Sequence, residues 1–406
     1  MVHLAMSETT LVLRYADVGV ATYGSLRVVG QPDRTVTWVL DEPALGAVRD
    51  RLGEALPDPR PGETIRTALE RALTAGAFAA PTAEQEMAEL LGAGLIPAAG
   101  WELIVAAAGD VPATLFVAPT AGLAQVPWVA LAMPDAPGRR LIELADILLA
   151  APPNIANAPR KPASWAQRCD NAALLILDPR VPGQRPDSAL GSVLGRPDPT
   201  GPLTRHFAQR RAHRDVLPQV ESTVELFRST QADRRWFAGQ LAAAPSRLLF
   251  VGHATAADGE VGHADRAAVH LADASPLSAA DLMTAQLPIP PRAALLACSS
   301  GGDYRFDEAT GLVAALILGG AVLVTATLWS LPTAAGYRQF SGTATESIDP
   351  MAEVVIAVDS AHEADDAGRA VNAWQRAQLI RWRDGDGAAS PLYWAALATF
   401  AVDGAR

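Results

Sequence analysis

The chain has 406 residues, half of them hydrophobic, with 33 basic and 44 acidic side chains and a net charge of −11. This length and apolar content exclude a disordered chain and predict either one large domain with an extension or two domains. The acidic balance, without a long basic run, argues against a surface that tracks phosphates, and we predict no nucleic-acid partner.

The expected location follows from the cysteines and the N-terminus. The two cysteines, Cys169 and Cys298, are too few for a disulfide framework and suit a reducing compartment. Residues 1–8 lack the cationic start and the apolar core of a signal peptide. We therefore expect a cytoplasmic protein.

The first hundred residues predict a small α+β region. Apolar and polar positions alternate over residues 10–40 around a break at residues 30–33, which predicts a hairpin-like pair of strands. Residues 43–95 carry apolar positions at helical spacing, interrupted by prolines. Nothing in this region indicates chemistry.

From residue 101 onward, strand-like runs alternate with helix-like ones, a pattern typical of a mainly parallel sheet covered on both faces. Residues 179–218 differ, because they are rich in proline and glycine, and we predict an exposed loop there. Its arginines are clustered at Arg205, Arg210, Arg211 and Arg214. We divide the region into parts at residues 101–178, 179–218 and 219–406.

Residues 311–331 contain no charged side chain, and on length alone could cross a membrane. The pair Gly319 and Gly320 divides the segment into a helix-like half and a half rich in β-branched residues. This division predicts a buried helix, a glycine turn and a buried strand rather than a membrane span.

Two apolar runs end in reactive side chains. Residues 293–297 lead into Cys298 and a Ser-Ser-Gly-Gly sequence, and residues 247–252 lead into His253. Open α/β sheets place their chemistry at the carboxyl ends of strands. A thiolate there can attack an acyl carbon while an imidazole protonates the leaving amine. His253 precedes Cys298 by 45 residues, and in caspases the interval is about 50.

Other interpretations of these residues remain open. Free cysteine is often a core residue, so Cys298 could be structural, and His253 could be a histidine satisfied at a sheet edge. His253, His263 and His270 could bind a metal with Cys298, but their spacing matches no common zinc pattern. No phosphate loop, dinucleotide fingerprint or serine-hydrolase elbow is present. We predict neither a metal nor a cofactor.

The region from about residue 101 to the end resembles a CHAT domain, a caspase-like module related to separase. The segments that carry the resemblance are residues 117–119, 126–131, 252–254, 297–301, 307–308, 311–312, 319–321, 327–329 and 391–395. The resemblance implies a caspase-like α/β sheet flanked by helices, with an N-terminal pseudo-caspase portion. It also implies a cysteine endopeptidase with His253 and Cys298 as the dyad, acting on a protein substrate in a bacterial defence or stress pathway.

The resemblance further suggests which residues would contact the substrate. Backbone N–H groups of Ala254 and Cys298 would stabilise the oxyanion. The specificity pocket would lie beside Trp329, and because residues 330–336 carry no carboxylate, we expect it to prefer an uncharged residue. Asp307 and Glu308 are candidate pocket residues, although they also suit the start of a helix.

The control of such a protease is a separate question. The helical sensor repeats usual in the family are absent from the sequence, so control would come from the first hundred residues, from residues 179–218 or from an activating protein partner. A second function stays open, that of a catalytically silent, caspase-like binding module.

Overall fold

The structure, a computed structural model, describes residues 9–109, 112–134, 136, 138–185, 191–255, 264–297, 311–341 and 348–406. The strands in these residues are β1 (Thr10–Asp17), β2 (Thr22–Val28), β3 (Gln31–Leu40), β4 (Ala113–Ala118), β5 (Ala145–Ala150), β6 (Ala173–Leu177), β7 (Val216–Leu217), β8 (Arg247–Gly252), β9 (Ala254–Thr255), β10 (Ala268–Val269), β11 (Leu277–Ser278), β12 (Arg292–Ala297), β13 (Leu323–Thr327) and β14 (Leu397–Ala401). The α-helices are α1 (Glu42–Ala55), α2 (Ile65–Thr74), α3 (Pro81–Leu95), α4 (Ala98–Ala107), α5 (Pro153–Ala156), α6 (Trp165–Arg168), α7 (Pro202–His213), α8 (Arg234–Ala242), α9 (Ala279–Ala285), α10 (Leu312–Leu318), α11 (Ala334–Phe340), α12 (Pro350–Ala361), α13 (Ala367–Arg383) and α14 (Pro391–Trp394).

Eleven strands form one sheet in the order β3-β2-β1-β4-β5-β14-β13-β12-β8-β6-β7. Strands β13, β12, β8, β6 and β7 are mutually parallel, and so are β14, β5, β4 and β1. The two parallel blocks meet at the antiparallel pair β13 and β14. Buried apolar strands covered by helices such as α10, α12 and α13 account for this architecture. The predicted α/β fold, a mainly parallel sheet flanked by helices, is confirmed.

The N-terminal strands extend this sheet. Strand β1 pairs in parallel with β4, and β2 and β3 continue outward in antiparallel order. The prediction of a pair of strands in residues 10–40 is therefore wrong in number, because three strands form. The alternating pattern conceals a first turn at residues 18–21, where the Val18 N–H donates to the Ala21 carbonyl and Gly19 has a φ of 84°. Glycine adopts this left-handed conformation without steric cost.

The prediction of an exposed loop over residues 179–218 is wrong for its second half, where helix α7 forms. Proline at the first helical turn suits the start of a helix. The side chain of Phe207 is fully buried, and Arg210 pairs with the buried carboxylate of Asp359 at 2.9 Å. The proline- and glycine-rich composition on which the loop prediction rests lies almost entirely before Leu203, so it does not extend into the helix. Residues 186–190 lie outside the described residues.

The uncharged segment at residues 311–331 forms helix α10, a turn at Gly319 and Gly320, and strand β13. Helix and strand are both buried in the core, so the predicted arrangement is confirmed. Among the described residues, no single helix has both the length and the apolar composition to cross a membrane, and the helices α3 and α4 reach both together only across a 99° bend.

Candidate active site

Strands β8 and β12 bring the residues that precede the two predicted dyad positions to the same edge of the sheet. The strands are parallel neighbours, and their register pairs Gly252 with Ala297. These are the residues that directly precede His253 and Cys298 in the sequence. Cys298, Asp307 and Glu308 lie outside the described residues, so their roles stay predictions.

The His253 side chain is half-buried and makes a hydrogen bond to a backbone carbonyl of the described part of the chain. Its Nε2 atom lies 3.0 Å from the carbonyl oxygen of Gly191. A carbonyl oxygen can only accept, so Nε2 carries the proton in this contact, and in a neutral ring the lone pair is then on Nδ1. The bond therefore selects one tautomer of His253.

The backbone after His253 enters a small sheet of β9, β10 and β11, in which β9 is an edge strand. The carbonyl oxygen of His253 accepts from the His270 N–H at 2.9 Å. In a trans peptide unit the carbonyl and the following N–H point in opposite directions. The Ala254 N–H is thus directed away from β10.

A second imidazole lies close to the first. The Nε2 atom of His270 is 2.6 Å from the Thr255 hydroxyl oxygen. Burial, and then the proximity of His253, lower the pKa of His270 below its usual value.

Across the residues that the structure describes, no group of three or more His, Cys, Asp or Glu side chains could hold a metal ion. Two of the four ligands considered from sequence, His263 and Cys298, fall outside that part of the chain.

Trp329 lies in the core rather than at an open surface. Its side chain is fully buried, its ring stacks on Phe78 with centroids 5.8 Å apart, and its Nε1–H donates to the Leu392 carbonyl at 3.0 Å. The expectation that Trp329 walls a substrate pocket therefore has no support in the described residues. The sequence alone could not distinguish a core tryptophan from one that lines a pocket, because in either role the aromatic residue follows a buried strand.

A distant carboxylate reaches the segment that follows Trp329. Asp58 accepts from the backbone N–H of Ser330 at 3.2 Å and from its hydroxyl at 2.8 Å, and it also accepts from the Gln125 amide at 3.1 Å. Residues 330–336 carry no carboxylate of their own, but the fold places the carboxylate of Asp58 against Ser330. The contact joins residues 272 positions apart, so no local pattern could have indicated it.

Sequence reasoning also missed three residues around His253. Asp178 directly follows β6, the strand beside β8, just as His253 follows β8. That placement at a strand end is a signal of the same kind as the one that identified His253. Gly191 and Arg228 carried no such signal, because their positions depend on loops folded against the sheet.

Comparison with known proteins places this geometry in a family. The family model described as "CHAT domain" matches residues 76–404, beginning before residue 101, where sequence reasoning placed the start of the module. No curated protein matches the chain. Two crystal structures of the Saccharomyces cerevisiae separase–securin complex are similar in fold. The identities are 12% and 10%, with TM-scores of 0.46 and 0.49.

Both structural matches cover 97% of this chain and 30% of the matched chain, so the protein spans less than a third of that chain's length. At these identities and scores, the structures add no argument about activity. The family model carries the assignment, because it covers most of the sequence and includes both strand ends described above. The chain belongs to the CHAT domain family.

Proposed function

We propose that the protein is a regulated cysteine endopeptidase in which His253 and Cys298 form the catalytic dyad. The observation that carries the proposal is the register of the two parallel strands, which sets Gly252 opposite Ala297. The next residue of each strand is a dyad member. CHAT family membership supports the same assignment.

In the proposed reaction, the thiolate of Cys298 attacks the carbonyl carbon of the scissile peptide bond and forms a tetrahedral intermediate. The backbone N–H groups of Ala254 and Cys298 would stabilise its oxyanion. The protonated His253 ring then gives a proton to the leaving amine as the C–N bond breaks. Water, deprotonated by His253, hydrolyses the acyl-enzyme and releases the thiolate.

The hydrogen bonds of His253 support this role. The Gly191 carbonyl accepts from Nε2 and so leaves Nδ1 as the atom that exchanges protons with the thiol and the leaving group. The orientation of the Ala254 N–H, opposite to the His253 carbonyl, suits an oxyanion donor. A binding module would need neither arrangement.

A peptide library tests the proposal. The purified protein, together with any activating partner found with it, is incubated with the library, and cleavage products are identified by mass spectrometry. We expect cleavage by the parent protein and none by Cys298→Ala. The matched control is Cys169→Ala, because Cys169 precedes β6 and so lies toward the amino ends of the parallel strands, whereas His253 follows the carboxyl end of β8, and we expect it to retain full activity.

The same library reports the residue preferred before the scissile bond. The sequence predicted an uncharged residue, whereas the Asp58 carboxylate beside Ser330 supplies an acidic group at this edge. Cleavage after Arg or Lys that weakens in Asp58→Asn would assign Asp58 to the pocket. A preference for uncharged residues that this substitution leaves unchanged would support the original prediction.

No cleavage by any form of the protein, with a bound partner recovered intact, would contradict the peptidase and favour the caspase-like binding module. The proposed physiological setting, activation of a partner in a bacterial defence or stress pathway, derives from the family resemblance. It is tested by identifying the protein that is cleaved.

A further inference from the structure

A buried carboxylate at the end of β6 organises the loop beside His253. Asp178 is fully buried, and it accepts from the Ser192 hydroxyl at 2.6 Å and from the backbone N–H groups of Val193 at 3.1 Å and Leu194 at 3.3 Å. A carboxylate removed from water requires such donors, because its burial is otherwise strongly unfavourable. Asp178 therefore holds the segment that begins at Gly191 against the sheet.

Arg228 links this carboxylate to the partner of His253. One nitrogen, Nη1, lies 3.2 Å from the Asp178 carboxylate and 3.2 Å from the Gly191 carbonyl oxygen. The Arg228 side chain is 18% exposed, so the ion pair is largely shielded from solvent. The Gly191 carbonyl thus receives hydrogen bonds from Arg228 and from His253, and its position is set from both sides.

The backbone at both charged residues is in the left-handed region. Asp178 has a φ of 53° and Arg228 a φ of 56°. Aspartate tolerates this conformation, but arginine rarely adopts it, and such a conformation persists only where surrounding contacts impose it. The Arg228 N–H donates to the Leu177 carbonyl at 3.1 Å, so the two turns lie side by side at the end of β6.

We infer that Asp178 and Arg228 are positioning residues for His253, acting through the Gly191 carbonyl to fix the Nε2–H tautomer and the direction of Nδ1. The inference rests on the proposed function for its catalytic consequence. The tautomer itself is a property of the folded protein and does not depend on activity. Asp178 and Arg228 need not touch the substrate.

The test uses the full chain with three substitutions. Arg228→Met removes the bridging guanidinium and keeps most of the apolar stem, and Ser192→Ala removes one contact to Asp178 and is the milder change. Arg228→Lys keeps the positive charge on a single donor nitrogen that can restore part of the bridge. Arg196→Met is the matched control, since Arg196 is an exposed arginine in the same loop.

The first readout is the ¹⁵N NMR spectrum of the His253 ring. We expect the Nε2–H tautomer in the parent protein and in Arg196→Met, and a mixture of the two tautomers in Arg228→Met and Ser192→Ala. The second readout is peptide cleavage. In Arg228→Met we expect kcat to fall about tenfold with KM unchanged, and most of the loss to be recovered in Arg228→Lys.

The two readouts separate this inference from the proposed function. A tautomer mixture in a variant of a protein that cleaves no peptide would support the positioning role while contradicting the peptidase. A folded Arg228→Met variant with the parent tautomer and the parent kcat would overturn the inference. If Arg228→Met does not fold, Ser192→Ala decides by the same criteria.

Discussion

His362 is an imidazole that the fold keeps uncharged. It is fully buried, and its Nε2 atom lies 2.8 Å from the Thr325 hydroxyl oxygen on strand β13. Burial, with smaller effects from the cations of Arg247 and Arg292, lowers the pKa of His362 to about 3, and Asp359 opposes this only in part. In an unfolded chain the value would be about 6.5.

This difference predicts how stability depends on pH. Below pH 6.5 the unfolded chain takes up a proton that the folded protein does not, so stability falls as the pH decreases toward 3. The contribution of His362 is about 1.4 kcal/mol of unfolding free energy per pH unit in that window. We expect His362→Gln, whose amide can still bond Thr325, to remove this slope. Urea unfolding of both proteins at pH 5 and pH 6 measures how the unfolding free energy changes with pH. The same change in both proteins would contradict the assignment.

At the scale of elements, one carboxylate on α12 attaches helix α7 to the sheet. Asp359 is fully buried and lies 2.8 Å from His206 Nε2 and 2.9 Å from Arg210 Nη2. Arg247 at the start of β8 completes the cluster. Its Nη2 atom lies 2.7 Å from the Asp359 carboxylate, although the two do not meet in hydrogen-bond geometry. Its Nε atom lies 2.5 Å from the Glu363 carboxylate. Burial alone would raise the pKa of Asp359, but the Arg247 guanidinium, the hydrogen bond with His206 and the Arg210 guanidinium hold this pKa far below its usual range.

Neutralising this carboxylate is expected to be costly. Asp359→Asn leaves the buried Arg247 guanidinium without its main counter-charge, and we expect a loss of about 3–5 kcal/mol of unfolding free energy. The control is Glu353→Gln on the same helix, which breaks a partly exposed pair with Arg381. Such a pair contributes about 0–1 kcal/mol. Chemical denaturation compares the two variants, and equal losses would show that the Asp359 cluster does not stabilise the fold as described.

At the scale of the whole molecule, the sheet consists of two parallel blocks that run in opposite directions. Because β13 and β14 are antiparallel, the carboxyl ends of β8 and β12 lie at one edge, and those of β14 and β5 lie at the other. The first block carries His253 and the strand that leads to Cys298. The second block, together with α13, adds buried contacts to the sheet, such as the Asn372 amide, which bonds the N–H and carbonyl of Ile147 at 2.8 and 3.1 Å.

Features set by neighbouring residues were predictable from the sequence. The strand before His253 and the helix, turn and strand of residues 311–331 follow from local periodicity and glycine breaks. Helix α7 is absent from the prediction because the prolines and glycines of residues 179–218 lie almost entirely before Leu203, and the contact of Arg210 with Asp359, 149 positions away, has no local signature. The contacts of Asp58 with Ser330 and of Asp178 with the loop at Gly191 depend on tertiary folding in the same way.

The most direct test of the central claim is a double-mutant cycle on the dyad. Peptide cleavage is measured for the parent protein, Cys298→Ala, His253→Ala and the double variant, with folding checked by circular dichroism. Because the two side chains act as a unit, we expect each single substitution to abolish cleavage and the double variant to be little worse than either. Unchanged cleavage by folded Cys298→Ala would contradict the cysteine endopeptidase.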